Sequence, residues 1–281
     1  MIQAPVNRVI DQSSVDGPGN RTALFLQGCN FNCGYCHNPE TINACIHCGD
    51  CVGVCPTGAL RMEAGAIRWD ASVCCACDAC LKICTYNASP KISWMTPEQA
   101  LDRIKRNIPF IRGITFSGGE CTLWRDFLYE VSKGAKALGL TALFDSNGSY
   151  DFSADPALLS VCDSVMLDVK CADAAHHLRL TGQTNDMVLK NLIFLAQAGK
   201  LEEVRTVVVP NDLPNADTVE QVCSILAPYW KTGSPIRYKL IRFRPLGVRD
   251  EYRAHAVPDD AQMEALAGMV RQAGCERILV V

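Results

Sequence analysis

The sequence predicts an α/β fold, a partial (β/α)6 barrel of the TIM-like kind, interrupted by a cysteine-rich insert. Two observations carry this. Short apolar runs of strand length alternate with segments of about ten to fifteen residues that read as helices, which is the pattern of a parallel sheet with crossover helices. Seventeen cysteines are crowded mostly between Cys29 and Cys84, where the apolar pattern is too irregular for an α/β core. The barrel is assigned to 1–37 and 92–281, and the insert to 38–91. A chain of 281 residues can bury one large core or two smaller ones, so its size forces neither a metal nor a disulfide scaffold.

RTALFLQG at 21–28 reads as the first strand and runs directly into a cysteine loop. After the insert, Thr96 opens a helix with Pro97 at its first position and Glu98 close behind. GITFSG (113–118) then precedes a helix near 124–138, and LTALFDSNG (140–148) precedes a short helical piece ending near Ser160. SVMLDVK (164–170) is followed by a helix near 185–198, and VRTVVVP (204–210) by one near 216–227. RYKLIRF (237–243) and RILVV (277–281) flank a last helix over 258–273. In such sheets the chemistry gathers at the carboxyl ends of the strands, so functional residues are expected just past each strand.

Charge and hydropathy exclude several classes. The net charge of -3 comes with no clustering of Lys and Arg, so nucleic acid is not a partner. There is no apolar stretch of membrane-spanning length and no basic segment leading into an apolar one at the N-terminus, which points away from the membrane and from secretion, toward the cytoplasm. An odd number of cysteines spaced two or three apart argues for a reduced compartment and metal ligation over disulfides.

Within the insert, Cys45, Cys48, Cys51 and Cys55 follow C-x2-C-x2-C-x3-C with Pro56 after them. Cys74, Cys77, Cys80 and Cys84 repeat the spacing 29 residues on. This run holds [4Fe-4S] clusters in two-cluster bacterial ferredoxins, where the fourth cysteine of each run serves the other cluster. On that pattern Cys45, Cys48, Cys51 and Cys84 hold one cluster, and Cys74, Cys77, Cys80 and Cys55 the other, so the insert is read as ferredoxin-like. Thr85 stands where a proline is usual, and Cys75 beside Cys74 leaves the second cluster's first ligand open between the two. Structural zinc is the competing reading, but the triple run suits one tetrahedral ion poorly.

Cys29, Cys33 and Cys36 form a C-x3-C-x2-C motif just after the first strand. Three sulfurs on a cubane cluster leave one iron without a protein ligand, and such an open position can take a substrate or cofactor directly. Further along, SGGE (Ser117 to Glu120) ends a strand with two glycines that admit a close ligand and a carboxylate suited to an ammonium. Period-two alternation puts Met166, Asp168 and Lys170 on one strand face, where an ion pair ending the strand is the plainer reading.

CNFNCGYCHNP resembles the signature of the radical S-adenosylmethionine (SAM) enzymes, and DGPGNRTALFLQGC ahead of it resembles the opening of the activating enzymes of glycyl radical enzymes, the pyruvate formate-lyase activase group. The ferredoxin-like insert is similar to that of the larger activases, and the match spans essentially the whole chain and resembles the YjjW type. The resemblance implies that the open iron binds the amino and carboxylate groups of SAM, whose reductive cleavage gives a 5′-deoxyadenosyl radical. That radical would take a hydrogen atom from a backbone glycine of a partner glycyl radical enzyme, with a flavodoxin- or ferredoxin-type protein as electron donor.

The same resemblance places Tyr35 beside the adenine and makes Gly118, Gly119 and Glu120 the motif that holds the methionine amino group, with Cys121 where a proline is usual. It puts a monovalent cation among Asp145, Ser146, Met166 and Asp168, includes Lys170 in a D-x-K motif, and directs Arg205 to the cofactor's carboxylate or ribose. RFRPLG (Arg242 to Gly247) would lie near the substrate opening. His37 and His47 are read as neighbours of clusters rather than ligands, and His176, His177 and His255 receive no role. Two other readings compete: a radical enzyme acting on a small molecule, and an iron-sulfur electron carrier, which would leave the three-cysteine, GGE and D-x-K motifs without employment.

Overall fold

A computed structural model describes residues 1–281. The chain opens with strand β1 (Ala4–Ser13) and continues with β2 (Arg21–Leu26), then, inside the insert, β3 (Leu60–Glu63), β4 (Ala66–Trp69) and helix α1 (Ala79–Ile83). β5 (Ser93–Met95) and α2 (Pro97–Asn107) return it to the main body. There β6 (Gly113–Gly118), α3 (Arg125–Ala137), β7 (Thr141–Ser146), α4 (Pro156–Val161) and β8 (Ser164–Asp168) alternate. Two helices follow, α5 (Ala174–Thr181) and α6 (Asp186–Gln197), then β9 (Leu201–Val208), α7 (Asn215–Lys231), β10 (Arg237–Arg242), α8 (Asp260–Gln272) and β11 (Ile278–Val280).

Nine strands form one mixed sheet in the order β11-β10-β9-β8-β7-β6-β2-β1-β5. From β2 through β11 every pairing is parallel, whereas β1 runs antiparallel to both β2 and β5. The sheet is therefore barrel-like over its parallel part and open at its edges. Parallel alignment puts the carboxyl ends of β2, β6, β7, β8, β9 and β10 on one rim, and the site is built there.

Local chemistry explains the helix limits. Thr96 caps α2 in a reciprocal box with Gln99, with Pro97 in the first turn. Asp259 and Gln262 form the same box at α8. The strands bury Leu24, Ile114, Phe116, Phe144, Val165, Leu167, Val204 and Leu240 completely or nearly so, against apolar faces of the surrounding helices. At the opposite rim the buried Arg21 guanidinium donates to Thr115 Oγ1 and to the Ile114 and Thr141 carbonyls, tying the first residues of three adjacent strands together.

Two departures from the sequence reading have physical causes. The antiparallel β1 was not anticipated, because APVNRVIDQS alternates only partly and its middle is half-exposed. α7 runs on past 227 through Pro228, which sits in its last turns. The sequence reading placed this helix only near 216–227, and the residue before a proline is ordinarily biased away from helical conformation.

Residues of the insert stay out of the main sheet. β3 and β4 pair as an antiparallel hairpin, and a small core of Cys51, Leu60, Ile67 and Cys80 lies beneath it. The chain leaves and re-enters the main body at a single bridge between Asn43 and Ala88. The buried Gln27 amide donates to the carbonyls of Glu40 and Asn43, which fastens that neck to the end of β2. No helix is long and apolar enough to cross a membrane.

Candidate active site and cysteine cavities

The loop after β2 has no secondary structure of its own, so its shape is set by neighbours. Gly28 and Cys29 donate their amides to the carbonyls of Thr41 and Ile42. Asn32 and Gly34 donate theirs to the Thr181 and Leu180 carbonyls at the C-terminal end of α5. The side-chain amide of Asn147 donates to Asn30 Oδ1 at 3.0 Å and lies 3.7 Å from Cys29 Sγ. Held this way, Cys29, Cys33 and Cys36 line a cavity of about 220 Å³ at the carboxyl rim. Burial pushes the Cys29 thiol up to about 12 and the Cys33 thiol up to about 11. Loading such thiols with metal therefore releases protons.

The same cavity is lined by Tyr35 of the cysteine loop and by Gly118, Gly119, Asp145, Ser146, Asp168, Lys170 and Arg205, drawn from the ends of β6, β7 and β8 and from β9. Gly118 takes a left-handed φ of 115°, and a Cβ on it would stand 2.3 Å from the Leu26 backbone. A Cβ on Gly119 would stand 2.0 Å from the Gly28 carbonyl oxygen. Both glycines are thus required by the approach of the β6 end to the cysteine loop, as well as by any ligand.

Glu120 does not line the cavity. Fully buried behind the two glycines, its carboxylate accepts from the Thr122 hydroxyl at 2.6 Å, Ser146 Oγ at 2.9 Å, the Thr122 amide at 3.2 Å and the Asn147 amide at 2.7 Å. It fixes the loop after β7 to the loop after β6. Cys121 is buried and contacts the Asp145 carbonyl.

The charged wall is internally paired. Arg205 donates to Asp145 Oδ1 at 2.8 Å, to Met166 Sδ at 3.0 Å and to Glu203, which also receives Arg237. Ser117 donates to the other Asp145 oxygen at 3.0 Å. Lys170 sits 2.8 Å from Asp168 and 5.9 Å from the centre of the Tyr35 ring. Burial opposes its charge, yet Asp168 and the neighbouring Cys33 and Tyr35 hold its pKa well above the usual lysine range. Tyr35 lines the cavity, and its buried hydroxyl has no hydrogen-bond partner within the chain.

The insert contains two further cavities. One is lined by Cys45, Cys48, Cys51, Cys80 and Cys84. The other is lined by Cys55, Cys74, Cys75, Cys77 and Cys80. The two cysteine runs share a backbone: His47 and Ala76, 29 residues apart, are both left-handed at φ 59° and 54°, as are Gly49 and Asp78 at 96° and 58°. In that alignment Cys74, not the exposed Cys75, stands where Cys45 stands. No three His, Cys, Asp or Glu side chains gather closely enough to hold a single metal ion.

The histidines take structural contacts. His37 Nε2 lies 3.0 Å from the Arg244 carbonyl, His47 Nδ1 accepts from the Ile67 amide, and His177 is buried edge-on to Phe31. Three features of the site went unread in the sequence: helix α5, Arg249, and the Asn147 contact with Cys29. The cap signals of α5 were available, since Asp173 accepts from the His176 amide at its start and Gly182 follows it at φ 77°.

Glu120→Gln keeps one acceptor but turns an amide N–H toward the Asn147 amide. It is expected to lower unfolding free energy by about 2 kcal/mol, the scale for hydrogen bonds to a buried charge. Anaerobic urea titration followed by circular dichroism measures this, and an unchanged midpoint would show that the carboxylate does not anchor these loops.

Comparison with known proteins agrees with this architecture. The model of the radical SAM superfamily matches residues 24–222. A Haemophilus influenzae protein, provisionally assigned as a glycyl-radical enzyme activating enzyme, is 30% identical over 100% of this chain and 97% of its own. The indoleacetate decarboxylase activating enzyme of Tractidigestivibacter scatoligenes is 28% identical over 95% of this chain and 94% of its own. Among solved structures, QueE from Escherichia coli superimposes with a TM-score of 0.57 at 14% identity, covering 99% of this chain and 94% of that one, which speaks to the fold alone. The chain belongs to the radical SAM superfamily and is similar over its whole length to activating enzymes of glycyl radical enzymes.

Proposed function

We propose that this radical SAM enzyme activates a partner glycyl radical enzyme by removing a hydrogen atom from one of its backbone glycines. The observation that carries the reading is the convergence of Cys29, Cys33 and Cys36 with the ends of β6, β7 and β8 and with Arg205 around one cavity. The donor set fits a [4Fe-4S] cluster and SAM: three thiols on one loop, and a Tyr35 hydroxyl left without a partner. When bound, the cluster supplies the electron that splits SAM into methionine and a 5′-deoxyadenosyl radical.

The chain's own residues orient the cofactor. Cys29, Cys33 and Cys36 hold the cluster. The Gly118 and Gly119 backbone receives the methionine amino group, while Glu120 positions it indirectly through the loop it anchors. Arg205 and Lys170 recognise carboxylate or ribose oxygens, and Tyr35 shields the adenine side. A monovalent cation at Asp145, Ser146, Met166 and Asp168 would share those groups with Arg205 and Lys170. On its sequence motifs we place the chain in the YjjW type, and its many free thiols suit the cytoplasm.

In the insert we assign one [4Fe-4S] cluster to Cys45, Cys48, Cys51 and Cys84 and a second to Cys55, Cys74, Cys77 and Cys80, with the shared backbone of the two runs favouring Cys74 over Cys75. Cys80 borders both cavities, so the two lie side by side. Held there, the two clusters would relay electrons from a flavodoxin- or ferredoxin-type donor toward the three-cysteine site.

Reconstituted without oxygen, reduced and given SAM, the native chain is expected to release 5′-deoxyadenosine, and Cys33→Ala none. With the partner present, a glycyl radical signal should accumulate on the partner. 5′-Deoxyadenosine without any partner radical would favour a small-molecule substrate. Cys48→Ala and Cys77→Ala are expected to leave SAM binding intact and to slow reduction by a protein donor at least tenfold. Unchanged reduction rates would remove the electron route.

A further inference from the structure

Beyond β10 the chain turns through Pro245, Leu246 and Gly247 and makes a single helical turn at Asp250–Tyr252. Arg249, just before that turn, reaches back to the cysteine loop. Its Nη1 donates to Asn32 Oδ1 at 3.0 Å, and its Nη2 donates to the carbonyls of Asn32 at 3.1 Å and Cys33 at 3.0 Å. The Tyr252 ring covers the next residue so closely that a Cβ on Gly34 would stand 1.7 Å from Tyr252 Cζ. On the other side, the Asn32 and Gly34 amides are held by α5. The peptides around the middle cysteine are therefore gripped from two directions, and the grip from the β10 side carries a permanent positive charge.

That charge is weakly offset. The Arg249 side chain is 16% exposed, and its nearest carboxylate, Glu251 Oε1, lies 3.7 Å away on a side chain 65% exposed. Lys170, the other cation near Cys33, is paired with Asp168 at 2.8 Å. Arg205 is held by Asp145 and Glu203. Adding an electron to a thiolate-held cluster raises its negative charge, and nearby donors and fixed cations favour that state.

We infer that Arg249 is a positioning residue which latches the cysteine loop and raises the reduction potential of the cluster held by Cys29, Cys33 and Cys36. This rests on the assignment of that cluster in the proposed function.

The test compares native protein, Arg249→Gln and Arg249→Lys, each reconstituted anaerobically. Iron content is measured, and redox titration follows the paramagnetic signal that changes on adding SAM, read on the loaded fraction. Arg249→Gln is expected to be harder to reduce by at least tenfold in the reduction equilibrium, about 59 mV for a one-electron couple. Arg249→Lys, which keeps the charge but loses the planar fork, is expected to recover most of that difference. Equal potentials in all three would overturn the inference even if the variants hold less iron, because a purely mechanical latch alters loading alone. Equal shifts in Gln and Lys would also overturn the assignment to charge. If the native protein shows no signal that responds to SAM, the cluster assignment fails, and this inference with it.

Discussion

The site depends on how the peptide from Cys29 to Cys36 is held, because that segment has no helix or strand to fix it. Its amide donors go to the 41–42 segment and to the end of α5, and its carbonyls at Asn32 and Cys33 go to Arg249. With those backbone groups satisfied from outside, the three thiols are left lining the cavity. The close approach of Gly119 to Gly28 sets the distance between this loop and the end of β6. Glu120 then sets the distance between β6 and β7.

A second constraint is charge balance inside the barrel. Asp145, Asp168 and Glu203 face Arg205, Lys170 and Arg237, so each of these three carboxylates has a cationic partner. Unpaired, any of them would be costly in so dry a place. A ligand that brings its own ammonium and carboxylate can exchange partners with these pairs without leaving a buried charge alone. This favours a zwitterionic amino-acid moiety over a simple anion or cation.

The strands from β2 onward were legible because each is a short apolar run bounded by turn residues and followed by a helix of ordinary length. The parallel order followed from that alternation. β1 was illegible because its side chains are half-exposed and its pairing is antiparallel, a choice made by tertiary contact. α5 was passed over because eight residues carry too little periodicity, although its caps were present. At the site, the strand-end rule found Gly118, Asp145, Asp168 and Lys170. It could not show that the Glu120 side chain turns inward, since that depends on donors from two other loops. Arg249 lies more than two hundred residues from the cysteines it grips, and no local pattern announces such a contact.

In the proposed function, the three-cysteine cavity presents an open iron to the amino-acid end of SAM. Electron-nuclear double resonance on the reduced protein, with SAM labelled by 15N at the amino group and 17O at the carboxylate, tests it most directly. Hyperfine coupling of both labels to the cluster is expected in the native chain, and its loss in Cys33→Ala. Tight binding of labelled SAM with neither label coupled would place the cofactor away from the open iron and overturn this assignment.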